Sequence, residues 1–297
     1  MSLFDQLVTE ALRNKGELAP LRTVVEKELL HHDILREMSE AGLLDTLTFI
    51  GGTCLRACYG SNRLSVDLDF AGGKKFTRES LTGLGKMLVE HLQKKYNLKV
   101  QVSKPVRETG NTDTWKLQVM TYPQQPHLPV QKIHIDICAV PSYDRQPMLL
   151  RNHYGVEMGT SGLIIQAQSR EEILADKIIA FALRPNRLKN RDLWDIGWLK
   201  QHNIELPLPL LPKKIKDHHR TVEEFLSLIE YRMGLLDTRQ IRDGFIQEMR
   251  RFLPPQVIAD TVEKKEFWDY LAKLITTECA RAVQALRSDL KNNDFPM

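Results

Sequence analysis

The chain has few cysteines and no long apolar segment. Four cysteines in 297 residues are too few for the disulfide framework of a small secreted domain. Cys54 and Cys58 lie four residues apart, but no second His or Cys pair stands nearby to complete a zinc site. No apolar run reaches the roughly 20 residues that a membrane-spanning helix needs, and the start, MSLFDQLVTEALR, lacks the basic and apolar parts of an export signal. We therefore expect a cytoplasmic protein with reduced cysteines and no membrane contact.

The sequence also lacks the standard phosphate-binding loops and any internal repeat. It contains neither G-x-x-x-x-G-K-[S/T] nor G-x-G-x-x-G. The alternating segments LSVDLDF, WKLQVMTY and QKIHIDICAV predict strands, whereas helical spacing dominates after Gly162. LPLPLLP, in that later part, predicts a stiff connector outside any helix. The fold class is therefore α+β: strands and helices over residues 1–165, followed by an all-helical part over residues 166–297.

Positive charge is concentrated in one segment of the chain. The net charge is only +4, but residues 184–220 contain nine Lys and Arg residues against four Asp and Glu residues. Such a segment is typical of a site for a polyanionic partner. A solvated surface loop would give the same composition, so charge alone leaves both interpretations open.

Acidic residues occur in two of the predicted strands. Alternate residues of a strand share a face, so Asp67 and Asp69 point the same way, and Asp136 lies on the polar face of KIHIDI. If the two strands are neighbours, three carboxylates converge, and they would resist ionising together without a cation. Mg²⁺ or Mn²⁺, bound by carboxylate oxygens and substrate phosphate, would remove that conflict. The alternative is a half-exposed strand whose outer face happens to be acidic.

A glycine-rich turn precedes the acidic pair. The short apolar run LTFI ends at Gly51 and Gly52, and Thr53 is placed to cap a following helix, CLRACYG. A helix start reached through glycines presents free backbone N–H groups to an anion at close range. A phosphate cradle followed by metal-binding carboxylates is what nucleoside triphosphate chemistry requires.

These residues resemble a known family. GGTCLRACYGSNRLSVDLDF is similar to the GGT-x-L-x-x-x-Y-G…R-x-S-x-D-L-D-F signature of the AbiEii family, also called DUF1814, within the DNA polymerase β-like nucleotidyltransferase superfamily. LADKIIAF resembles the family's helix-borne lysine segment, and RDLWDI resembles its R-D-x-x-D motif. The resemblance covers roughly residues 49–200 and implies the polymerase β-like mixed sheet with flanking helices for the first part of the chain. The members of the family are nucleotidyltransferase-like toxins of bacterial type IV toxin–antitoxin and abortive infection systems.

The resemblance implies transfer of a nucleoside monophosphate from a nucleoside triphosphate (NTP) to an acceptor, which is tRNA in the better understood members. It implies that the metal ligands are Asp67, Asp69 and Asp136, with Asp136 also acting as general base. It implies that the triphosphate is held by the following residues: Gly51, Gly52, Thr53, Arg63, Ser65 and Lys177.

The resemblance also implies roles in the helical part, where Asp192 would orient groups across the cleft that this part completes. An exposed helix lysine is the alternative for Lys177, and an ion pair with Arg191 is the alternative for Asp195. Trp194 and Trp198, four residues apart, fit a helix core better than a base-stacking platform. The residues expected to bind RNA are Arg184, Arg187, Lys189 and Arg191.

The implied partner is a neighbouring antitoxin, with a winged-helix part in related systems. Two other functions stay open at this stage. The acceptor could be a small molecule or a protein side chain, or the chain could be a catalytically silent nucleotide- or RNA-binding module. The complete set of acidic residues and Lys177 favours an active enzyme over a silent module.

Overall fold

The computed structural model describes residues 2–103, 105–109, 111–122, 124, 129–185 and 187–294, without the side chains of 106–109 and 292–294. The chain divides into two compact units, Met1–Gln168 and Ser169–Met297. The predicted domain boundary, between residues 165 and 166, falls inside a strand of the first unit, Ile164–Gln168.

The first unit combines helices with a sheet. Its helices are α1 (Leu3–Asn14), α2 (Arg22–Glu40), α3 (Gly51–Ala57) and α4 (Leu84–Tyr96), with 3₁₀ turns at Gly16–Leu21 and Arg78–Leu81. Its strands are β1 (Thr48–Ile50), β2 (Leu68–Ala71), β3 (Lys99–Val102), β4 (Val106–Thr109), β5 (Thr112–Met120), β6 (Gln131–Cys138), β7 (Arg145–Leu149) and β8 (Ile164–Gln168).

The sheet is mixed, as the sequence predicts. Its strand order is β3-β5-β6-β2-β1-β8-β7, and β4 pairs with β5. The parallel neighbours are β2 with β6 and β1 with β8, whereas the other pairs are antiparallel. The pairing of β2 with β6 decides the position of the site, because these two strands carry the acidic residues singled out above.

The apolar faces of β2 and β6 form part of the core. Ile133, Ile135 and Ile137 are fully buried, as are Leu68 and Phe70. The sequence prediction is wrong at the start of β2, which begins at Leu68 rather than at the start of LSVDLDF. Residues 61–67 have no strand partners, and Val66 is accordingly only partly buried. Asp67 therefore lies just before the strand instead of inside it.

The second unit is helical, as predicted. Its helices are α5 (Arg170–Leu183), α6 (Asn190–Gln201), α7 (Leu211–Asp217), α8 (Val222–Leu235), α9 (Arg239–Met249), α10 (Pro255–Val257) and α11 (Lys265–Asp294), with a 3₁₀ turn at Leu208–Leu210 and a π-helical turn at Ile258–Val262.

Two details of the second unit bear on the sequence predictions. LPLPLLP is not wholly outside helices, because α7 begins at Leu211 and Pro212 occupies its first turn, where a missing N–H costs nothing. Trp194 and Trp198 are buried, and the Trp194 ring packs 5.8 Å from that of Phe267, which confirms the core interpretation. None of the helices in the described part of the chain is both long enough and apolar enough to cross a membrane.

Candidate active site

Asp69 and Asp136 stand side by side in the sheet. They are register partners in the parallel pair of β2 and β6, so their side chains leave the same face of neighbouring strands. The residues on either side of Asp136 in β6 are buried, whereas Asp69 and Asp136 are only partly buried. The sequence pattern alone predicted this shared face, and the strand order supplies the adjacency that it required.

Asp136 responds to its acidic neighbours. The pKa of its carboxyl group is raised to about 6, first by burial and then by the negative charges of Asp69 and Asp67, against the lowering effects of Thr114 and His134. Thr114 lies opposite Asp136 on β5, and its hydroxyl donates a hydrogen bond of 2.6 Å to Asp136 Oδ1. The three carboxylates thus share one electrostatic field, as expected for converging acids.

Asp67 lies near Asp69 and Asp136, although it belongs to the segment that precedes β2. The backbone N–H of His134 donates to Asp67 Oδ1 over 3.2 Å, and His134 Nδ1 lies 3.5 Å from the same oxygen. Because His134 precedes Asp136 by two residues on β6, this contact brings Asp67 to the same face of the sheet. The Asp67 side chain keeps 28% of its surface exposed, which leaves room for a ligand.

Gly51 lies directly against Asp69. Ile50 is the register partner of Asp69, and the chain then turns into α3 with a φ of +75° at Gly51. A Cβ atom at this position would stand 3.0 Å from Asp69 Oδ2. Glycine is therefore required twice here, once for the left-handed backbone and once for the space beside the carboxylate. The start of α3 and the acidic group belong to one site.

Thr53 supports the site differently from the sequence prediction. It is not the N-cap of a helix, because α3 already begins at Gly51 after the extended residue Ile50. Its hydroxyl is buried within hydrogen-bonding distance of Ser65 Oγ, at 2.7 Å, and of the carbonyl oxygen of Asp67. The left-handed turn at Gly51 starts the helix three residues earlier than capping rules suggest, and the Thr53 hydroxyl contacts the segment that carries Asp67.

The other residues expected to hold a triphosphate are largely buried. Gly52 lies inside the first turn of α3. Arg63 is 2% exposed, and its Nη1 donates to the carbonyl of Leu64 over 2.9 Å. Ser65 is 4% exposed, with its N–H bonded to Glu28 at 2.8 Å. In this structure their side chains support the segment from Ser61 to Asp67, and their contact with phosphate stays a prediction.

The carboxylates of the site provide part of the set of ligands that a hard divalent cation such as Mg²⁺ takes. Three carboxylates share one field, and the space beside Asp69 is held open by Gly51. Within the described ranges, no three His, Cys, Asp or Glu side chains are arranged so as to hold a metal ion unaided. Mg²⁺ commonly binds through one or two carboxylates, with water and substrate phosphate completing its shell. The residues present therefore suit a cation that arrives with a nucleotide rather than a closed protein cage.

Lys177 has acidic partners within the helical unit. Its Nζ lies 2.5 Å from Asp192 Oδ1 and 2.8 Å from Asp195 Oδ2. Burial opposes the ionisation of Asp192, but the charges of Lys177, Lys189 and Arg184 outweigh it and lower the pKa of that carboxyl group. Lys177 is 7% exposed, so the exposed-lysine alternative is wrong. Asp195 has Lys177 as a partner, whereas Arg191 Nε lies 3.2 Å from Glu248.

The basic segment is less available than its composition suggests. Arg184 lies 3.4 Å from Asp192, and Arg191 packs over the Phe252 ring at 4.9 Å. Lys214 is buried between Glu172, at 2.5 Å, and Asp176, at 2.7 Å. Of the four residues expected to bind RNA, Arg187 is exposed, while Arg184, Lys189 and Arg191 are partly buried.

Two residues of the site were missing from the sequence-derived set. Thr114 holds Asp136, and His134 holds Asp67. The alternation of apolar and polar residues along β5 and β6 places Thr114 and His134 on polar faces, and this pattern is the one sequence signal that could have identified them. The positions of Thr114 opposite Asp136 and of His134 beside Asp67 could not be read from the sequence, because they depend on the pairing of strands and segments that are distant in the chain.

The chain matches a family model and resembles solved structures. The family model described as "Nucleotidyl transferase AbiEii toxin, Type IV TA system" matches residues 33–273. No curated protein matches the chain. MenT4, a nucleotidyltransferase toxin from Mycobacterium tuberculosis H37Rv, has a similar structure with a TM-score of 0.57 and 15% identity, covering 96% of this chain and 97% of that one. JHP933 from Helicobacter pylori gives a TM-score of 0.41 and 16% identity over 91% of this chain and 96% of its own.

The family match spans most of both units and includes Asp67, Asp69, Asp136, Asp192 and Asp195, and the likeness to MenT4 shows a similar fold over nearly the whole chain. The chain belongs to the AbiEii family of nucleotidyltransferase toxins of type IV toxin–antitoxin systems, and an antitoxin partner follows from that membership.

Proposed function

We propose that this toxin transfers a nucleoside monophosphate from an NTP to an RNA acceptor, tRNA, in a reaction that depends on Mg²⁺ or Mn²⁺. The observation that carries the proposal is the convergence of Asp67, Asp69 and Asp136 beside the glycine turn at Gly51. An isolated cluster of three acids would be costly. A divalent cation held by these acids would offset their mutual repulsion and supply positive charge for a triphosphate.

The acidic residues and the glycine turn would have different roles in the reaction. Asp67 and Asp69, with Asp136, would hold the cation, which when bound supplies positive charge against the phosphate oxygens. The open turn at Gly51 and Gly52 would receive the phosphates through backbone N–H groups. The hydroxyl of Thr53 is engaged within the protein, so Thr53 would contribute its backbone alone.

Asp136 is suited to accept the proton of the acceptor hydroxyl. Its carboxyl group lies beside Asp69 in the sheet, and its pKa of about 6 in the protein without a cation leaves it mostly ionised near pH 7 and so able to take up a proton. A bound cation would lower that pKa. The acceptor oxygen would form a bond to the α-phosphorus, the bond from that phosphorus to the β-phosphate bridge would break, and pyrophosphate would leave. Asp136 would hold the released proton.

The helical unit would contribute positive charge. Lys177 would reach a phosphate only by exchanging Asp192 or Asp195 as partner, since it lies between them. Arg187 is the exposed member of the basic set and, with Arg184, Lys189 and Arg191, would follow an RNA backbone. Such an enzyme would act in the cytoplasm, where NTPs and tRNA are found, and the proposed antitoxin has a winged-helix part.

Incorporation of label into RNA tests the proposal. The full-length protein is incubated with each α-³²P NTP, Mg²⁺ and total RNA, and the labelled products are separated. We expect label in the tRNA fraction, none after chelation with EDTA, and none with Asp69→Asn. Asp45→Asn, an exposed aspartate of the same unit, is the matched control and should retain activity.

The other functions give different results. Label that stays with the protein, or that appears on a small molecule added from cell extract, would replace RNA as the acceptor. Absence of label from every fraction, together with measurable nucleotide binding, would mean a catalytically silent binding module. Activity that persists in EDTA would overturn the metal dependence.

A further inference from the structure

The segment that carries Asp67 has no regular structure of its own. Residues 61–67 lie between α3 and β2 and belong to no helix or strand. The peptide groups just before and at Asp67 must therefore obtain hydrogen bonds from side chains or water. The position of the Asp67 carboxylate depends on these bonds.

Two side chains of α2 supply them. Glu28 Oε1 accepts the N–H of Ser65 over 2.8 Å. His31 Nε2 lies 3.1 Å from the carbonyl oxygen of Val66; this oxygen can only accept, so Nε2 carries the hydrogen. Glu28 and His31 are three residues apart on one helix, and this spacing places them on the same face. Together with Thr53, which contacts the Asp67 carbonyl, they hold three consecutive residues.

Glu28 is itself fixed by partners on two other segments. Its Oε2 accepts from Arg56 Nε of α3 over 3.2 Å and from the hydroxyl of Tyr154. Burial opposes its ionisation, but Arg56, Tyr154 and the N–H of Ser65 outweigh burial and lower the pKa of Glu28. Burial lowers the pKa of His31, so the ring is neutral at pH 7. The charge of Glu28 is therefore matched inside the protein and does not add to the field of the site.

This arrangement meets a specific need. Asp67 carries a negative charge beside those of Asp69 and Asp136, and the three repel one another in the absence of a cation. A flexible segment would relieve the repulsion by moving Asp67 outward, and a shift of about 1 Å at a reacting centre can cost a hundredfold in rate. A buried ion-paired support removes that freedom.

We propose that Glu28 and His31 are positioning residues: through the backbone of Ser65 and Val66 they hold Asp67 in place to bind a divalent cation. The inference rests on the proposed function for its consequence in catalysis, but the geometric part stands on the contacts within the first unit. Neither residue touches the reacting atoms. Their effect passes entirely through the segment from Ser61 to Asp67.

The experiment compares three variants of α2 in the full-length chain. Glu28→Ala and His31→Ala remove the two supports. Asp33→Ala is the matched control, because Asp33 is also a buried carboxylate on α2 with strong partners, Lys95 at 2.5 Å and Tyr96 at 2.6 Å. Its partners lie on α4 and not on the segment before β2. Glu28→Gln keeps an oxygen for the Ser65 N–H and tests rescue.

Three quantities are measured for each variant: the melting temperature, the hydrogen exchange of peptides covering residues 61–70, and the Kd for Mn²⁺ in the presence of an equimolar mixture of the four NTPs, by electron paramagnetic resonance. We expect Glu28→Ala and His31→Ala to speed exchange of residues 65–67 by about tenfold or more and to weaken Mn²⁺ binding by about 10- to 100-fold. Asp33→Ala should lower the melting temperature without either effect. Glu28→Gln should fall between the parent protein and Glu28→Ala, because it keeps an acceptor for the Ser65 N–H but loses the ion pair with Arg56.

The outcomes separate this inference from the proposed function. If exchange and Mn²⁺ binding in Glu28→Ala and His31→Ala match those of Asp33→Ala, the positioning role is wrong, whatever the parent protein does with NTPs. If exchange accelerates as expected but the parent protein neither binds Mn²⁺ nor transfers nucleotide, the positioning stands and the proposed function fails. Should Glu28→Ala not fold, His31→Ala alone decides between these results.

Discussion

Asp69 and Asp136 are register partners on two parallel strands, so each sits in the electric field of the other. Asp69→Asn removes one negative charge from that field and should lower the pKa of Asp136 from its value of about 6. Carboxyl ¹³C NMR of labelled aspartate measures this shift directly. Asp45→Asn replaces an exposed aspartate on another segment and should leave the pKa of Asp136 unchanged.

The same substitution should remove nucleotide transfer. Charge stabilisation by a bound cation is worth several kcal/mol, so a loss of at least about a hundredfold in kcat/KM is expected. An Asp69→Asn protein that keeps its full rate, with the pKa of Asp136 shifted, would show that the acidic pair is structural.

Gly51 offers a test in which two effects can be separated. Gly51→Ala meets both a positive φ and a collision with Asp69, whereas Gly73→Ala meets a φ of +77° with no atom within 4 Å. Both variants should lose about 1–2 kcal/mol of unfolding free energy from backbone strain, as measured by urea denaturation. Nucleotide transfer should fall by about tenfold or more only in Gly51→Ala, because only there does the new methyl group displace a carboxylate. Equal activities in the two variants would contradict the close packing at Gly51.

His32 should make folding stability depend on pH. Burial, followed by the charge of His31, lowers the pKa of His32 to about 4, compared with about 6.5 in an unfolded chain. The unfolded state therefore binds the proton more readily, so the contribution of His32 is complete above about pH 6.5 and is lost as the pH falls toward 4. The loss amounts to at most about 3 kcal/mol.

Urea denaturation at several pH values, with His32→Asn for comparison, measures this effect. The variant loses the contact of His32 Nδ1 with Thr160 at every pH, so its curve should be lower but flatter between pH 6.5 and 4. Parallel curves for the two proteins would mean that His32 titrates normally in the folded state.

Lys177 should contribute to the stability of the helical unit, whether or not it also contacts phosphate. Lys177→Met leaves Asp192 and Asp195 buried without their shared cation, which should cost about 3–5 kcal/mol. Lys216→Met, an exposed lysine of α7, should change stability by less than about 0.5 kcal/mol. The double variant Lys177→Met/Asp195→Leu should recover part of the loss. A Lys177→Met protein of unchanged stability would show that the ion pairs contribute nothing.

Exposed and packed arginines of the basic segment should behave differently toward RNA. Arg187→Ala should weaken binding and reduce the slope of log K against log salt by about 1, with no change in melting temperature. Arg191→Ala, which removes the contacts with Glu248 and Phe252, should lower the melting temperature as well. Filter binding over a range of salt concentrations measures the slope, and the melting temperature distinguishes Arg187→Ala from Arg191→Ala. An unchanged slope for Arg187→Ala would show that Arg187 is not part of the RNA surface.

The sequence predicted those parts of the site that depend on local pattern. Strict alternation in KIHIDI fixed the face of Asp136, and the glycine pair after LTFI indicated a tight turn between a strand and a helix. Both follow from constraints within a few residues of chain. The helical second part was predicted for the same reason, whereas the mixed sheet followed from the resemblance to the family.

Features that depend on distant contacts were not predictable in the same way. Asp67 was assigned to a strand, but its segment is held by Glu28 and His31, more than thirty residues earlier. Thr53 was assigned as a cap, although a positive φ at Gly51 starts the helix sooner. The pairing of Lys177 with Asp192 joins successive helices. Each of these contacts is decided by tertiary packing, which overrides local preference.

The parallel pairing of β2 with β6 has a consequence for synthesis of the chain. β2 ends at Ala71, but its parallel neighbour is complete only at Cys138, so a ribosome must translate almost half of the message before Asp69 and Asp136 can meet. Chain segments so far apart pair late. A nascent or prematurely terminated chain that ends before β6 therefore lacks the pairing of Asp69 with Asp136, and any activity that depends on this pair can begin only after that strand has left the ribosome.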